Sequence, residues 1–128
     1  MIQLILHLIG DYVTQSDWMA VNKRTSSKAA FVHAFVYSVP FAVLLWFTSK
    51  SGAALAVILG THFLIDRFGL ARYVVFAKNF MGAPWPVWSN CSVTGYPSER
   101  PAWLAVWLLI AADNTIHLAI NYVALRWL

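Results

Sequence analysis

Three pairs of histidine and aspartate share one spacing in this chain: His7 with Asp11, His62 with Asp66, and Asp113 with His117 each stand four positions apart. Four positions is one helical turn, so each pair occupies one face of a helix. Random placement of four His and four Asp in such a chain yields only about 0.2 pairs at this spacing. Imidazole nitrogen and carboxylate oxygen are donors that zinc takes, and a catalytic zinc site keeps one position open for a water whose pKa falls to about 7. Imidazole-rich sets also suit iron, nickel or manganese. His33 adds a fourth candidate on a separate apolar segment.

The elements that must position these groups can be read from composition. The chain has 128 residues, 60% of them hydrophobic and 11% charged, against roughly a quarter charged in a soluble domain. That excludes an ordinary soluble enzyme and leaves room for a single domain, 1–128. A bilayer-spanning helix needs about 20 largely apolar residues. Four stretches fit, at about 2–20, 29–48, 53–77 and 102–125, so the expected fold is all-α, an integral membrane four-helix bundle. The third stretch carries Asp66, Arg67 and Arg72, so its later half is expected to leave the bilayer as an amphipathic extension. A basic linker at 22–28 and a Lys50-Ser51-Gly52 turn separate the first three. The stretch 79–101 holds four prolines with Trp85, Trp88 and Tyr96, which makes it an interfacial loop. The apolar start lacks a basic leader segment and a small-residue cleavage site, and is expected to stay attached.

Four spans put Lys23, Arg24, Lys28, Arg67, Arg72, Lys78 and Arg100 on one side and only Lys50 and Arg126 on the other. Cytoplasmic loops carry such an excess, so both termini are expected on the far side. The net charge of +4 is scattered, with no block that would make a nucleic-acid footprint. The single cysteine, Cys91, excludes an intrachain disulfide. There is no Gly-x-Ser-x-Gly elbow, no phosphate-cradling glycine loop and no His-Glu-x-x-His helix.

An ionised carboxylate near the bilayer centre costs several kcal/mol unless paired or coordinated, so Asp11, Asp66 and Asp113 are expected to face the bundle interior. Helices converging on such groups build metal sites. The expected ligands of a divalent metal, zinc first, are Asp11, His33, His62 and Asp66, with His7 beside them. Asp113 and His117 stand as general-base candidates or as support for the ligands. Two other uses of the same residues stay open: a neutral hydrogen-bonded network, and a path for protons or metal ions. Arg67 and Arg72 would flank the site as anion-binding forks or as headgroup anchors.

The run from His7 to Ala20, His33-Ala34, the segment Thr61 to Arg67, Thr94-Gly95-Tyr96-Pro97, and Ala112 to His117 together resemble a family of small integral membrane proteins of bacteria and their phages. His33, His62 and Asp66 also resemble the pattern of a larger group of inner-membrane proteins described as metal-dependent hydrolases. The resemblance implies a multi-pass protein of the bacterial inner membrane in contact with membrane lipid, and with the lysine and arginine distribution it puts the termini in the periplasm. The leading expectation is metal-assisted hydrolysis of a lipid or phosphoester substrate. The alternatives are a proton- or metal-ion-conducting protein and a non-enzymatic envelope interaction protein, in either case with homo-oligomers possible.

Overall fold

A computed structural model describes residues 1–48 and 51–128. Among the described residues the fold is all-helical: α1 (Ile2–Leu8), a π-helical turn (Ile9–Val13), α2 (Asp17–Asn22), α3 (Ser27–Thr48), α4 (Gly52–Phe68), α5 (Ala71–Lys78), a 3-10 turn (Asn79–Met81), α6 (Trp88–Cys91) and α7 (Ala102–Trp127). Lys50 of the expected turn lies outside the described residues. At 1.5 Å per residue, α3 runs about 33 Å and α7 about 39 Å, more than the roughly 30 Å of a bilayer core. Both are long and apolar enough to cross a membrane, and α4 with the following Ala71–Met81 segment makes a third if the pair is one span.

Two of the expected helices are interrupted, each for a local reason. Within 2–20, α1 widens into the π turn, where Thr14 N–H donates to Ile9 O at 3.0 Å and the Thr14 hydroxyl donates to Gly10 O at 3.0 Å. Ser16 then adopts an extended backbone, and its Oγ accepts from Met19 N–H at 3.3 Å, which starts α2 afresh. Within 53–77, α4 stops at Phe68 because Gly69 takes φ +59°, the left-handed conformation that closes helices.

The described residues gather into two compact units: Met1–Phe68 with His117–Leu128, and Gly69–Ile116. In the first, α3 packs chiefly along α4. The buried stripe His33, Tyr37, Phe41, Leu45 on α3 repeats every turn, and so does Ala54, Ile58, His62, Asp66 on α4. Tyr37, Phe41, Leu45, Ala54, Ile58 and Ala124 form the apolar core, so each helix is apolar at one end of its stripe and polar at the other. Outward faces stay apolar as well, with Phe31, Phe35, Val39, Val43 and Trp46 exposed on α3.

The second unit is held by aromatic stacking. Tyr73 stacks on Trp88 with centroids 4.8 Å apart, and Phe76 meets the same indole edge-on at 5.0 Å. Gly95, at φ +83°, lies so close to α5 that a Cβ there would stand 2.3 Å from Arg72 O. The Cys91 thiol is free and buried. Arg72 lies here, its Nη1 donating to Ser92 O at 3.0 Å and its guanidinium 4.9 Å from the centre of the Tyr73 ring. It is a structural strut of this unit.

Candidate metal centre

The polar ends of α3 and α4 meet the π turn inside the first unit. His33 comes from the second turn of α3, His62 and Asp66 from the last turns of α4, and Asp11 from the middle of the π turn. An extra residue in a helical turn shifts the register of the residues after it, a device frequent at functional sites. Gly10 allows the turn to approach, since a Cβ at this position would lie 2.5 Å from Tyr37 Cδ2.

All four side chains are buried, His33 completely. His33 Nε2 lies 3.1 Å from Asp11 Oδ1 and 3.1 Å from Asp66 Oδ2, while His62 Nε2 lies 3.4 Å from each of the same two oxygens. The two Nε2 atoms are 3.0 Å apart. Metal–donor bonds of 2.0–2.2 Å place the vertices of a tetrahedron about 3.3–3.6 Å from one another; two of the five separations lie in that range and three are 0.2–0.3 Å shorter, so a small outward shift of His33 Nε2 would let four donors hold one ion. An imidazole nitrogen carries either one proton or one lone pair, so hydrogen bonds alone satisfy only a fraction of these contacts. Asp66 Oδ2 is buried and meets Lys23 Nζ at 2.8 Å as an ion pair. Asp11, His33, His62 and Asp66 therefore could hold a metal ion.

The remaining atoms of this donor set are held from behind. With both Nε2 lone pairs turned inward, His62 Nδ1–H donates to His117 Nδ1 at 3.2 Å, and His117 Nε2–H donates to Asp66 Oδ1 at 3.3 Å. On the other flank Asn121 Nδ2 donates to Tyr37 Oη at 2.6 Å, Tyr37 O–H donates to His7 Nδ1 at 2.9 Å, and His7 Nε2 faces Asp11 Oδ2 at 3.5 Å. Each carboxylate thus turns one oxygen to the centre and the other to a histidine. His33 Nδ1 is the exception, buried with no hydrogen-bond partner.

Of the expected site residues, Asp11, His33, His62 and Asp66 come together as one donor set. His7 and His117 stand one layer out, against the carboxylates. Asp113 belongs to the second unit, one turn before His117 on α7. Lys23 and Tyr37 were not singled out as site residues from the sequence. Lys23 Nζ is 2.8 Å from Asp66 Oδ2 and 3.4 Å from His33 Nε2, although its sequence signature is only that of a basic loop. Tyr37 lies flat on His62, centroids 3.6 Å apart and planes 10° from parallel. Its position one turn after His33 was the available signal. Arg67 supports Lys23 at one remove, donating to Ser27 Oγ at 3.0 Å and to Arg24 O at 2.7 Å, which ties the α2–α3 connection to α4.

Residues 1–82 match the family model described as protein of unknown function DUF3307. The chain belongs to that family. The DUF3307 match contains all four donors together with His7, Lys23 and Tyr37, while His117 and Asn121 lie beyond it. No curated protein and no solved structure matches the chain.

Proposed function

We propose that this protein is a multi-pass integral membrane protein of the bacterial inner membrane whose helices form a four-span bundle. In this reading Asp11, His33, His62 and Asp66 hold a divalent metal, zinc first, and the protein hydrolyses a lipid or a phosphoester at the membrane. The observation that carries it is the set of five donor–donor separations between 3.0 and 3.4 Å around two carboxylates and two imidazoles. Charge supports it too. Two carboxylates and one ammonium sum to −2 + 1 = −1, and a buried site of this kind is stabilised by a further cation. The apolar outer faces of α3 and α7 support the membrane setting.

A divalent metal bound there supplies Lewis-acid polarisation and lowers the pKa of a water. The chain's own residues do the rest. His7 and His117 fix the carboxylates in orientation, and Lys23, its side chain 21% exposed, is the charged group between the buried donors and the outside. In this reading His117, whose Nε2 lies 3.3 Å from Asp66 Oδ1, and Asp113 are the general-base candidates.

One observation favours a second reading. His7, Asp11, His33, His62, His117 and Asp66 form an unbroken chain with steps of 3.0–3.5 Å, the arrangement of a proton path. Elemental analysis of the detergent-purified protein, without a histidine tag, separates the two. Near-stoichiometric metal that disappears in the His62→Ala, Asp66→Ala double variant is the expected result. Metal-free folded protein whose liposomes leak protons, with the leak abolished by Asp11→Asn, would replace the hydrolase reading. Bound metal with no turnover of any lipid phosphoester would remove the hydrolytic part alone.

A further inference from the structure

The second unit contains a cavity of about 430 Å³, within the size range of small-ligand sites. Its lining is chemically mixed. Lys78 and Arg100 supply two cations, Tyr96 and Asn79 further polar groups, and Leu104 and Leu108 of α7 apolar surface. The polar lining is built in place. Lys78 Nζ lies 5.2 Å from the centre of the Tyr96 ring, and Asn79 Nδ2 donates to Gly95 O at 2.9 Å, which anchors the turn that carries Tyr96.

No carboxylate among the described residues pairs with Lys78 or Arg100 within ion-pair distance. The acid nearest in sequence, Glu99, is held elsewhere: Asn90 Nδ2 donates to both its oxygens, at 2.8 and 3.1 Å. That amide keeps the Glu99 carboxyl below its ordinary pKa, so it stays ionised and bound to Asn90. Glu99 acts on Arg100 through charge alone, without a direct ion pair. Two cations lining one cavity attract an anion, and arginine in particular offers a forked pair of donors to a phosphate. The apolar surface continues along α7, which is long and apolar enough to cross a membrane.

We infer that this cavity binds the headgroup of an anionic phospholipid, with its phosphate between Lys78 and Arg100 and an acyl chain along Leu104 and Leu108. The site is independent of the metal centre and stands whether or not that centre binds metal. Headgroup recognition by basic pockets beside membrane helices follows this chemistry. An apolar chain alone would not require the cations, and a free phosphate would not require the leucines.

The test titrates the full-length protein, in a neutral detergent, with short-chain phosphatidylglycerol, phosphatidylcholine of the same chains, and inorganic phosphate, and reads bound lipid by native mass spectrometry. We expect phosphatidylglycerol to bind about tenfold tighter than phosphatidylcholine, the preference two cations near a headgroup confer. Lys78→Gln with Arg100→Gln should erase it. Lys78→Arg with Arg100→Lys should keep it, which decides the matter if the neutral variant fails to fold. Lys28→Gln with Arg126→Gln removes the same charge elsewhere and should leave phosphatidylglycerol binding unchanged. Equal affinity for the two lipids would overturn the inference, as would full binding by the neutral variant or equal weakening by the distant one. Inorganic phosphate binding as tightly as the lipid would overturn it in favour of a free-phosphate site.

Discussion

Tyr37 shows how much one phenol can do for a site it does not enter. Its hydroxyl accepts from Asn121 and donates to His7, while its ring supports His62. Tyr37→Phe keeps the ring and removes the hydroxyl, which takes from two buried polar groups the partner that orders them. Such a loss costs about 1–3 kcal/mol, and outer partners of ligands are typically worth 10- to 100-fold in metal affinity. We therefore expect a lowered denaturation midpoint together with roughly tenfold weaker zinc binding, read by thermal melts and competition with a chelator. Unchanged affinity would mean that His7 does not govern the orientation of Asp11. At this scale the sequence was informative where residues share a helix. The spacing of His62 and Asp66 puts them on one face with no knowledge of the fold. Lys23 was invisible because it lies on a connection, and no periodicity relates position 23 to Asp66.

Among the elements, the π turn is the one that matters most to the site, and it depends on Gly10. An added Cβ would stand 2.5 Å from a fully buried tyrosine ring that stacks on His62 and has no room to retreat. Gly10→Ala should therefore destabilise the protein by about 1–3 kcal/mol, the range for overpacking, and weaken metal binding by displacing Asp11. Gly60 makes the control. It sits inside α4, and a methyl group added there would meet nothing within 4 Å, so Gly60→Ala should be neutral or stabilise by up to about 1 kcal/mol, the helix preference of alanine. Thermal melts of the two variants side by side check both statements, and equal behaviour would refute them. The small residues of α4 also show what pattern alone leaves open. Of Ala53, Ala54, Ala56 and Gly60, all small enough for close helix contact, only Ala54 is buried, because the packed stripe follows Ala54, Ile58 and His62.

For the whole molecule, the distribution of lysine and arginine makes a prediction about orientation. If the four-span reading holds, residues 22–28 and 79–101 face the cytoplasm and the chain ends lie across the membrane. Reporter fusions after Leu128 and within 79–101 should then report opposite sides, and the same side for both would overturn the arrangement. Composition by itself determined that the chain is helical and apolar, and helical spacing determined which His and Asp share a face, because both are properties of neighbours along the chain. The long helices were legible for the same reason, and α3 (Ser27–Thr48) and α7 (Ala102–Trp127) lie close to the expected 29–48 and 102–125. The break within 2–20 was not, and the one within 53–77 showed only through the charges of its later half. Gly69 and the Ser16 cap turn the chain through backbone angles and single hydrogen bonds, which a hydrophobic average over 20 residues does not register. Only the tertiary structure decided which of seven His and Asp candidates converge: four donors from three segments meet because α3 and α4 pack with their polar ends together and Gly10 lets the π turn close on Tyr37. Such convergence depends on packing between residues far apart in sequence, and no spacing within one helix encodes it.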